Sequence, residues 1–332
     1  MTSFIFRDPF LLAFSEICVM RVIFIDTVHP ILKERLEAKG VKCVMHTSTS
    51  PLELEQIIHH YQGIVIRSRI KLDKHFLAKA SNLQFIARSG AGMENIDLEY
   101  CKQRGIVCFN SPEGNRDAVG EQAIGMLLML FNNLMRADVE VRNGIWRREE
   151  NRGYELAGKT VGIIGFGNMG SALAKKLTGF DCRILVHDKY KSGFSTSTIE
   201  EVDLDTLKKE SDIISLHLPQ SDETHHYFNS NFIATCAKPF YLINTARGKN
   251  VNTADLVEGM KSGKVKGACL DVLEYEHSSF ENLNTATLPE PFQYLIRSER
   301  VVLAPHIAGW THESYIKLSS FLADKIIAHF AL

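Results

Sequence analysis

The chain has 332 residues, which is enough for two domains of ordinary size that each bury a hydrophobic core. Hydrophobic residues make up 45% of it and charged residues 23%, a globular composition that excludes a disordered or fibrous protein. Lys and Arg number 38 against 39 Asp and Glu, so the formal net charge is −1. No overall basic field therefore recruits nucleic acid or an anionic membrane surface, and charge recognition must be local.

The seven cysteines are scattered and form no C-x-x-C pair, a pattern typical of reduced thiols that predicts a cytoplasmic location. Adjacent histidines such as His59-His60 and His225-His226 point apart on a helix or strand, so we expect no metal site. No apolar run reaches the roughly 18 residues that span a bilayer, and the N-terminal stretch lacks a signal-peptide cleavage site. Residues 1–19 are interpreted as an extension that carries no functional element.

Short apolar runs alternate with helical stretches from residue 21 onward. Strands separated by helices indicate βαβ units and therefore a parallel sheet. Pro30 suits the first turn of the first helix, and Gly40 can end it. The predicted strands of this first series are Arg21–Asp26, Val41–Met45, Gly63–Arg67, Leu83–Arg88 and Gly105–Phe109.

Apolar residues recur at helical spacing between Arg116 and Asn143, which predicts one long helix that ends near Gly144. A helix of this length crosses between domains, packs against a partner subunit, or lies buried in a single core. The sequence leaves these three alternatives open.

A second α/β series follows the long helix, so the chain is predicted to hold two α/β domains. Several of its strands are apolar on both faces, as expected for a parallel sheet covered by helices on each side. A last helix, about Glu313–Phe330, is expected to fold back onto the first domain. The predicted strands are Thr160–Gly165, Cys182–Asp188, Asp212–His217, Phe240–Thr245 and Val265–Asp271.

A G-x-G-x-x-G motif lies directly after the first strand of the second series and before a helix. Gly165 allows the tight turn, Gly167 lets the backbone approach a pyrophosphate, and Gly170 lets the helix pack on the strand. Asn168 and Met169 lie at the helix N-terminus, where backbone amides face the phosphates of a bound dinucleotide.

Asp188 ends the next strand, about twenty residues after the glycines, where a carboxylate can accept hydrogen bonds from the adenosine ribose. An acid at this position favours NAD and repels the 2′-phosphate of NADP, although Lys189 weakens that preference. Two alternatives are a purely structural glycine turn with a capping aspartate and a methyltransferase site for S-adenosylmethionine.

Further segments resemble the D-isomer-specific 2-hydroxyacid dehydrogenases, in order and over about residues 21–330. These segments are Ser211–Pro219, Leu242–Gly248, Leu270–Glu276 and Ala304–Gly309. The chain is most similar to phosphoglycerate dehydrogenases of the short type, which lack a regulatory domain. Two departures are His277, where the family usually has proline, and the long polar stretch from there to residue 300.

The expected architecture is two doubly wound parallel-sheet domains of the α/β class. A flavodoxin-like substrate domain would comprise residues 20–116, with 310–332 returning to it, and a Rossmann NAD domain would comprise 117–309. The active site would lie in the cleft between them, which would close by hinge motion near residues 115 and 308.

The resemblance assigns four central roles. His306 would be the acid/base, and Glu276 would hold the other ring nitrogen and favour the protonated imidazole. Arg247 would bind the substrate carboxylate, and Asp271 would accept from the nicotinamide carboxamide. Taken singly, Arg247 is as well explained as a turn arginine, Glu276 as a solvated acid and His306 as a core histidine.

The resemblance also implies further contacts. Small residues in the loop after the fourth strand would leave amides free for a carboxylate, although the loop also serves as a tight connection. Two arginines would hold a substrate phosphate, with a solvated surface as the alternative. The additional cofactor-binding residues are His217, Pro219, Thr245, Ala246 and Gly309; the substrate-binding residues are Arg67, Arg69, Ser89, Gly90, Ala91, Gly92 and Asn115, with Asn110 bordering the same cleft.

The resemblance thus predicts an oxidoreductase that transfers hydride between NAD(H) and a D-2-hydroxy acid, with 3-phosphoglycerate of serine biosynthesis as the favoured substrate. The alternatives are a glyoxylate, hydroxypyruvate or D-lactate type of reductase and, in a different class, an NAD-sensing binding protein like the corepressors built on this fold. We expect a homodimer or higher homo-oligomer formed through residues 117–155.

Overall fold

The computed structural model describes residues 19–276 and 289–332. The predicted N-terminal extension, apart from its last residue, and the start of the polar stretch at His277 lie outside the described residues.

The first sheet has five parallel strands in the order β2-β1-β3-β4-β5, which is the flavodoxin-like order of a doubly wound sheet. Its strands are β1 (Arg21–Phe24), β2 (Lys42–Met45), β3 (Gly63–Ile66), β4 (Phe85–Arg88) and β5 (Val107–Phe109). Its helices are α1 (Ile31–Glu37), α2 (Pro51–Ile57), α3 (Lys74–Lys79) and α4 (Leu98–Gln103). Ser50, Asp73 and Asp97 cap α2, α3 and α4, because each side chain accepts a backbone N–H of the first turn.

The second sheet has seven parallel strands in the order β12-β11-β10-β9-β6-β7-β8. The strand order reverses between β6 and β9, and in such sheets ligands bind at the carboxyl ends of the strands at this point. The strands are β6 (Thr160–Ile164), β7 (Arg183–His187), β8 (Ile199–Glu201), β9 (Ile213–Leu216), β10 (Phe240–Asn244), β11 (Val265–Leu270) and β12 (Val301–Leu303). The helices between them are α7 (Asn168–Leu177), α8 (Leu204–Glu210), α9 (Ser230–Thr235), α10 (Thr253–Lys261) and α11 (Glu290–Arg297).

Both parallel sheets and all ten predicted strands are confirmed, with strand ends within two residues of their predicted positions. The strands β8 and β12 were not predicted. Each has three residues, and β8 contains two glutamates on the outer edge of the sheet, so neither shows an apolar run long enough to recognise.

The prediction of one long helix after residue 116 is wrong. The structure has two helices, α5 (Arg116–Phe131) and α6 (Leu134–Arg142). Asn133 between them adopts the left-handed conformation (φ 52°), which asparagine tolerates better than most residues. The side chain of Asn132 donates to the Leu128 carbonyl (3.0 Å) and thereby ends α5. The apolar periodicity runs through this break and conceals it.

The last helix, α12 (His312–Phe330), packs against α1 of the first sheet although it follows the last strand of the second. Its Leu322, Ala323 and Ile326 are fully buried beside β1, and a buried leucine or isoleucine contributes about 1.5–3 kcal/mol. Lys325 also bonds both carboxylate oxygens of Glu113 (2.9 Å each) in the connection that leads into α5. The chain therefore crosses twice between the sheets. The Lys325–Glu113 ion pair links α12, which follows the second crossing, to the segment of the first crossing.

Within the described ranges, no helix combines the length and apolarity that a membrane crossing requires.

Candidate active site

His306 follows β12 and pairs with Glu276, which follows β11. The ring Nδ1 lies 2.8 Å from Glu276 Oε2, and Glu276 Oε1 accepts the backbone N–H of Leu273. His306 itself is in the left-handed conformation, with φ at 56°. An unusual backbone conformation in a non-glycine residue marks a position at which the surrounding structure fixes the side chain.

Asp271 supplies that constraint. It is fully buried, and its oxygens accept the backbone N–H groups of Ile307 and Ala308 (2.9 Å each). Its carbonyl also accepts the His306 N–H at 2.7 Å. Burial raises the pKa of Asp271, while the two amides at its carboxylate act in the opposite direction. Asp271 thus holds the loop that carries His306, a role that the sequence did not suggest beside the expected nicotinamide contact.

Arg247 lies in the loop after β10. Its Nη1 donates to the Ala246 carbonyl (2.7 Å), and its Nε donates to Glu94 Oε1 (2.6 Å) from the loop after β4. The next residue, Gly248, is pressed onto the segment that leads to Glu276, because a Cβ there would lie 1.9 Å from the Leu273 carbonyl oxygen. The Arg247 loop and the Glu276 segment therefore form one packed unit.

The predicted dinucleotide turn has the required geometry. Gly165 has φ +96°, and a Cβ there would come within 2.5 Å of the His217 carbonyl oxygen. A Cβ on Gly170 would come within 2.0 Å of the Gly165 carbonyl oxygen, whereas one on Gly167 would meet nothing within 4 Å. The turn is closed on the protein side and open at Gly167, which is the shape that a pyrophosphate needs. Asn168 begins α7, so its amide and those that follow, of Met169 and Gly170, face this opening.

Asp188 stands at the end of β7 and binds the glycine turn directly. One carboxylate oxygen accepts the N–H of Phe166 (2.6 Å), and the other accepts those of Tyr190 and Lys191 (2.9 and 3.0 Å). Burial would raise its pKa, but the three amides together hold that pKa below the usual range. Lys189 pairs with Glu223, so its charge is already balanced. A cavity of about 610 Å³ opens beside Asp188.

Three predicted site residues keep buried polar atoms for which the described residues provide no hydrogen-bond partner. Burial lowers the pKa of His217 to about 4, so the ring is neutral, and its Nε2 is hydrogen-bonded to Ser215 Oγ at 2.8 Å. The atoms without a partner are His217 Nδ1, Thr245 Oγ1 and Asn115 Oδ1. Buried polar groups are normally satisfied, so these atoms fit a site completed by a polar ligand such as a dinucleotide.

Two further contacts involve predicted cofactor and hinge residues. The Pro219 carbonyl accepts Thr224 Oγ1 (2.6 Å), which fixes the loop after β9. A Cβ on Gly309 would lie 2.4 Å from Asn115 Nδ2, so the two crossings between the sheets touch at these residues.

The predicted substrate loop follows β4. The Ser89 N–H donates into β3 at 2.8 Å, so that amide is committed to the sheet. The Ala91 carbonyl accepts Asn110 Nδ2 (2.6 Å), and a Cβ on Gly90 would lie 2.0 Å from the Arg88 guanidinium. Gly92 lies against Arg247. An anion at this loop would therefore use the amides from Gly90 onward, not the Ser89 amide.

Arg69 is held by backbone carbonyls. Its Nε, Nη1 and Nη2 donate to the carbonyls of Ile25 (2.6 Å), Thr49 (2.7 Å) and His46 (3.1 Å). The guanidinium therefore links loops of the first sheet. The residue type and position alone could not show which carbonyls it would meet.

Arg67 is arranged differently, and its position involves a residue that the sequence analysis missed. Its guanidinium lies over the Trp310 ring, 4.2 Å from the centroid, and Trp310 follows Gly309 at the start of the return to the first sheet. Stacking of this kind leaves the in-plane N–H groups of arginine able to bind an anion. The second missed residue is Glu94, and the signal that could have revealed it is an acid directly after the glycine loop.

Known proteins resemble this chain over most of its length, including the NAD-binding region. Residues 124–308, more than half of the chain, match the family described as D-isomer specific 2-hydroxyacid dehydrogenase, NAD binding domain. The chain is 37% identical over 274 residues to a hydroxypyruvate reductase of Thermotoga maritima, covering 82% of this chain and 86% of that protein. It is 33% identical over 310 residues to a D-3-phosphoglycerate dehydrogenase of Archaeoglobus fulgidus, covering 93% of this chain. It spans only 57% of the length of that dehydrogenase.

Among solved structures, the fold resembles a D-lactate dehydrogenase of Aquifex aeolicus complexed with NAD and lactic acid. The TM-score is 0.78 at 28% identity, and the match covers 94% of this chain and 95% of that one. The glycine turn with Asp188, the paired His306 and Glu276, and these matches agree with one another. The chain belongs to the D-isomer-specific 2-hydroxyacid dehydrogenase family, and its second sheet forms the NAD-binding domain.

Proposed function

We propose that the protein is an NAD-dependent dehydrogenase that interconverts a D-2-hydroxy acid and its 2-keto acid. The observation that supports this most directly is the His306–Glu276 pair, at 2.8 Å, held beside the Arg247 loop at the carboxyl edge of the NAD-binding sheet.

His306 is proposed as the acid/base. With Nδ1 bound to Glu276, the other ring nitrogen exchanges the proton with the substrate: it takes the hydroxyl proton during oxidation and returns it to the carbonyl oxygen during reduction. Glu276 keeps the ring oriented and balances the charge of the imidazolium. Arg247 binds the substrate carboxylate through its planar guanidinium.

NAD, when bound, supplies the acceptor for the hydride that leaves the substrate carbon. The glycine turn and the N-terminus of α7 are proposed to hold its pyrophosphate, and Asp188 its adenosine ribose. The buried polar atoms of His217 and Thr245 are proposed to face the nicotinamide end, together with Ala246, Pro219, Asp271 and Gly309.

For the substrate, we propose 3-phosphoglycerate and its keto acid, 3-phosphohydroxypyruvate, with a role in serine biosynthesis. Arg67, which lies over the Trp310 ring, is the group proposed to bind the phosphate. The second candidate is glyoxylate or hydroxypyruvate reduction, which is favoured by one observation: Arg69 is committed to backbone carbonyls, so only one of the two expected arginines remains for a phosphate.

A panel of substrates, with turnover followed by NADH absorbance, tests both the proposed reaction and the proposed substrate. Arg67→Ala should lower kcat/KM for phosphohydroxypyruvate by about 10- to 100-fold, because a charge-assisted hydrogen bond contributes roughly 1.5–3 kcal/mol. Activity with hydroxypyruvate should change far less, and Arg104→Ala, at the exposed residue that follows α4, is the matched control. Preference of the unaltered enzyme for unphosphorylated keto acids would select the second candidate. NAD binding without turnover of any 2-keto acid would instead indicate an NAD-sensing binding protein.

We also propose that the protein is a cytoplasmic homodimer that associates through residues 117–155. The cytoplasmic location is supported by the six cysteines of the described residues, all of which are free thiols. The dimer is supported by exposed apolar side chains on and after α6, namely Leu134 (52% exposed), Val139 (57%), Val141 (55%) and Trp146 (78%).

A further inference from the structure

Glu94 and Arg247 form an ion pair that joins the two halves of the cleft. Glu94 belongs to the loop after β4 of the first sheet, and Arg247 to the loop after β10 of the second. Glu94 Oε1 lies 2.6 Å from Arg247 Nε. About 37% of the Glu94 side chain and 25% of the Arg247 side chain remain exposed, so small solutes can reach the pair.

Gly92 brings the predicted substrate loop onto this pair. A Cβ at Gly92 would lie 2.1 Å from Glu94 Oε2 and 2.2 Å from Arg247 Nη2. The loop that is proposed to receive a substrate carboxylate thus lies against a guanidinium that already has a carboxylate. The absence of a side chain at Gly92 is what leaves room for both groups.

Glu94 is the counter-ion of a cationic group. Burial would raise its pKa, but the charge and hydrogen bond of Arg247, together with the charge of Arg88, hold that pKa below the usual range. Burial lowers the pKa of Arg88 to about 10, and Arg247 and Arg67 act in the same direction while Glu94 opposes them. Glu94 is therefore ionised at neutral pH, and its carboxylate stabilises the charges of Arg247 and Arg88.

The substrate carboxylate and the Glu94 carboxylate compete for the same donors. Arg247 Nε is bound to Glu94 and Nη1 to the Ala246 carbonyl, so a second carboxylate cannot use the Nε donor while Glu94 remains. Two carboxylates side by side on one guanidinium would also repel each other. Binding of the acid at the Nε donor therefore requires Glu94 to leave Arg247.

We propose that Glu94 is a specificity-determining residue: it occupies the carboxylate position on Arg247 when no substrate is bound, and an incoming 2-keto acid must displace it. This inference rests on the proposed role of Arg247 in binding the substrate carboxylate. The displacement raises KM for acids whose only anionic group is the carboxylate. It also keeps the cationic group neutralised between turnovers.

The test is Glu94→Gln, which keeps the length of the side chain and removes its charge. KM for glyoxylate should fall about tenfold with kcat little changed, because a neutral amide competes less well for a guanidinium than a carboxylate does. The affinity of the enzyme–NADH complex for oxamate, measured by quenching of NADH fluorescence without turnover, should rise by a similar factor. Glu94→Ala should change both quantities in the same direction. Glu55→Gln, which breaks an ion pair with Lys79 between α2 and α3, is the matched control.

The opposite result would follow if Glu94 only positioned Arg247. In that case both Glu94 variants would raise KM, weaken oxamate binding and lower kcat, and the proposal would be overturned. Unchanged KM and oxamate affinity would overturn it as well. If the unaltered enzyme neither turns over a 2-keto acid nor binds oxamate, the failure lies in the proposed function, which the wild-type measurements reveal before any variant is compared.

Discussion

At the scale of single residues, the left-handed conformation of His306 is a costly local feature of the candidate site. A non-glycine residue there loses about 1–2 kcal/mol, which the structure offsets with three hydrogen bonds from consecutive backbone N–H groups to Asp271. The result is an imidazole fixed at 2.8 Å from Glu276. A catalytic group that is fixed before the substrate arrives has no reorientation to complete during the reaction.

His306→Ala should reduce kcat by about 100- to 10,000-fold, the usual contribution of a general acid/base, while NADH still binds. The reason is that the proposed role of His306 concerns the proton and not the dinucleotide. Steady-state rates and NADH fluorescence titration measure the two effects separately. His312→Ala, at the exposed first position of α12, should leave both unchanged. Loss of NADH affinity together with rate would show that His306 supports the cofactor site instead.

Asp188→Ala should narrow the preference for NAD over NADP. The ionised carboxylate, with its pKa held down by three backbone amides, repels the 2′-phosphate of NADP, and alanine removes that repulsion without supplying an arginine. The variant should lose efficiency with NAD because the proposed ribose contact is removed as well. The measurement is the ratio of kcat/KM for the two cofactors. Equal ratios in the variant and the wild-type enzyme would remove Asp188 from cofactor discrimination.

At the scale of elements, sequence patterns sufficed where one physical signal dominated. Short apolar runs between helices predicted ten strands, and a glycine turn between strand and helix predicted the dinucleotide site. The patterns failed where an element is short or where tertiary contacts decide: β12 has three residues, and the helix break is set by two asparagines. They also could not show that Arg69 meets carbonyls of distant loops. Glu94 was missed because its partner lies 153 residues away and on the other sheet.

The helix break at Asn133 makes a prediction about stability. Asn133→Val should lower the free energy of unfolding by about 1–2 kcal/mol, because a β-branched residue is strained at φ 52°. Asn133→Gly should cost less, because glycine adopts this conformation readily. Urea denaturation followed by circular dichroism compares the three proteins. Equal loss in both variants would indicate that the Asn133 side chain, which donates to the Arg152 carbonyl at 3.4 Å, matters more than its backbone.

At the scale of the whole molecule, the candidate active site depends on contacts that bridge two sheets. The return of α12 to the first sheet places Trp310 beside Arg67, and the Glu94–Arg247 pair joins the loop after β4 to the loop after β10. Substrate binding that displaces Glu94 would therefore exchange one link between the halves for another made by the substrate itself. Such an exchange would couple substrate binding to the relative position of the two sheets.

The proposed dimer can be tested by substitutions on α6. Val139 and Val141 are more than half exposed on α6, whereas Glu140 between them is buried and bonded to Asn151 (2.6 Å). The apolar side chains therefore face outward while the helix is anchored by a polar contact, an arrangement that suits association with a second copy of the same surface. In a two-fold symmetric dimer each substitution occurs twice, so Val139→Glu would place two like charges in the interface.

Sedimentation velocity at micromolar concentration should show a dimer for the wild-type protein and a shift toward monomer for Val139→Glu. Asp138→Glu, which preserves the charge of an exposed neighbour, should leave the sedimentation coefficient unchanged. A monomeric wild-type protein, or a variant that remains dimeric, would contradict association through α6.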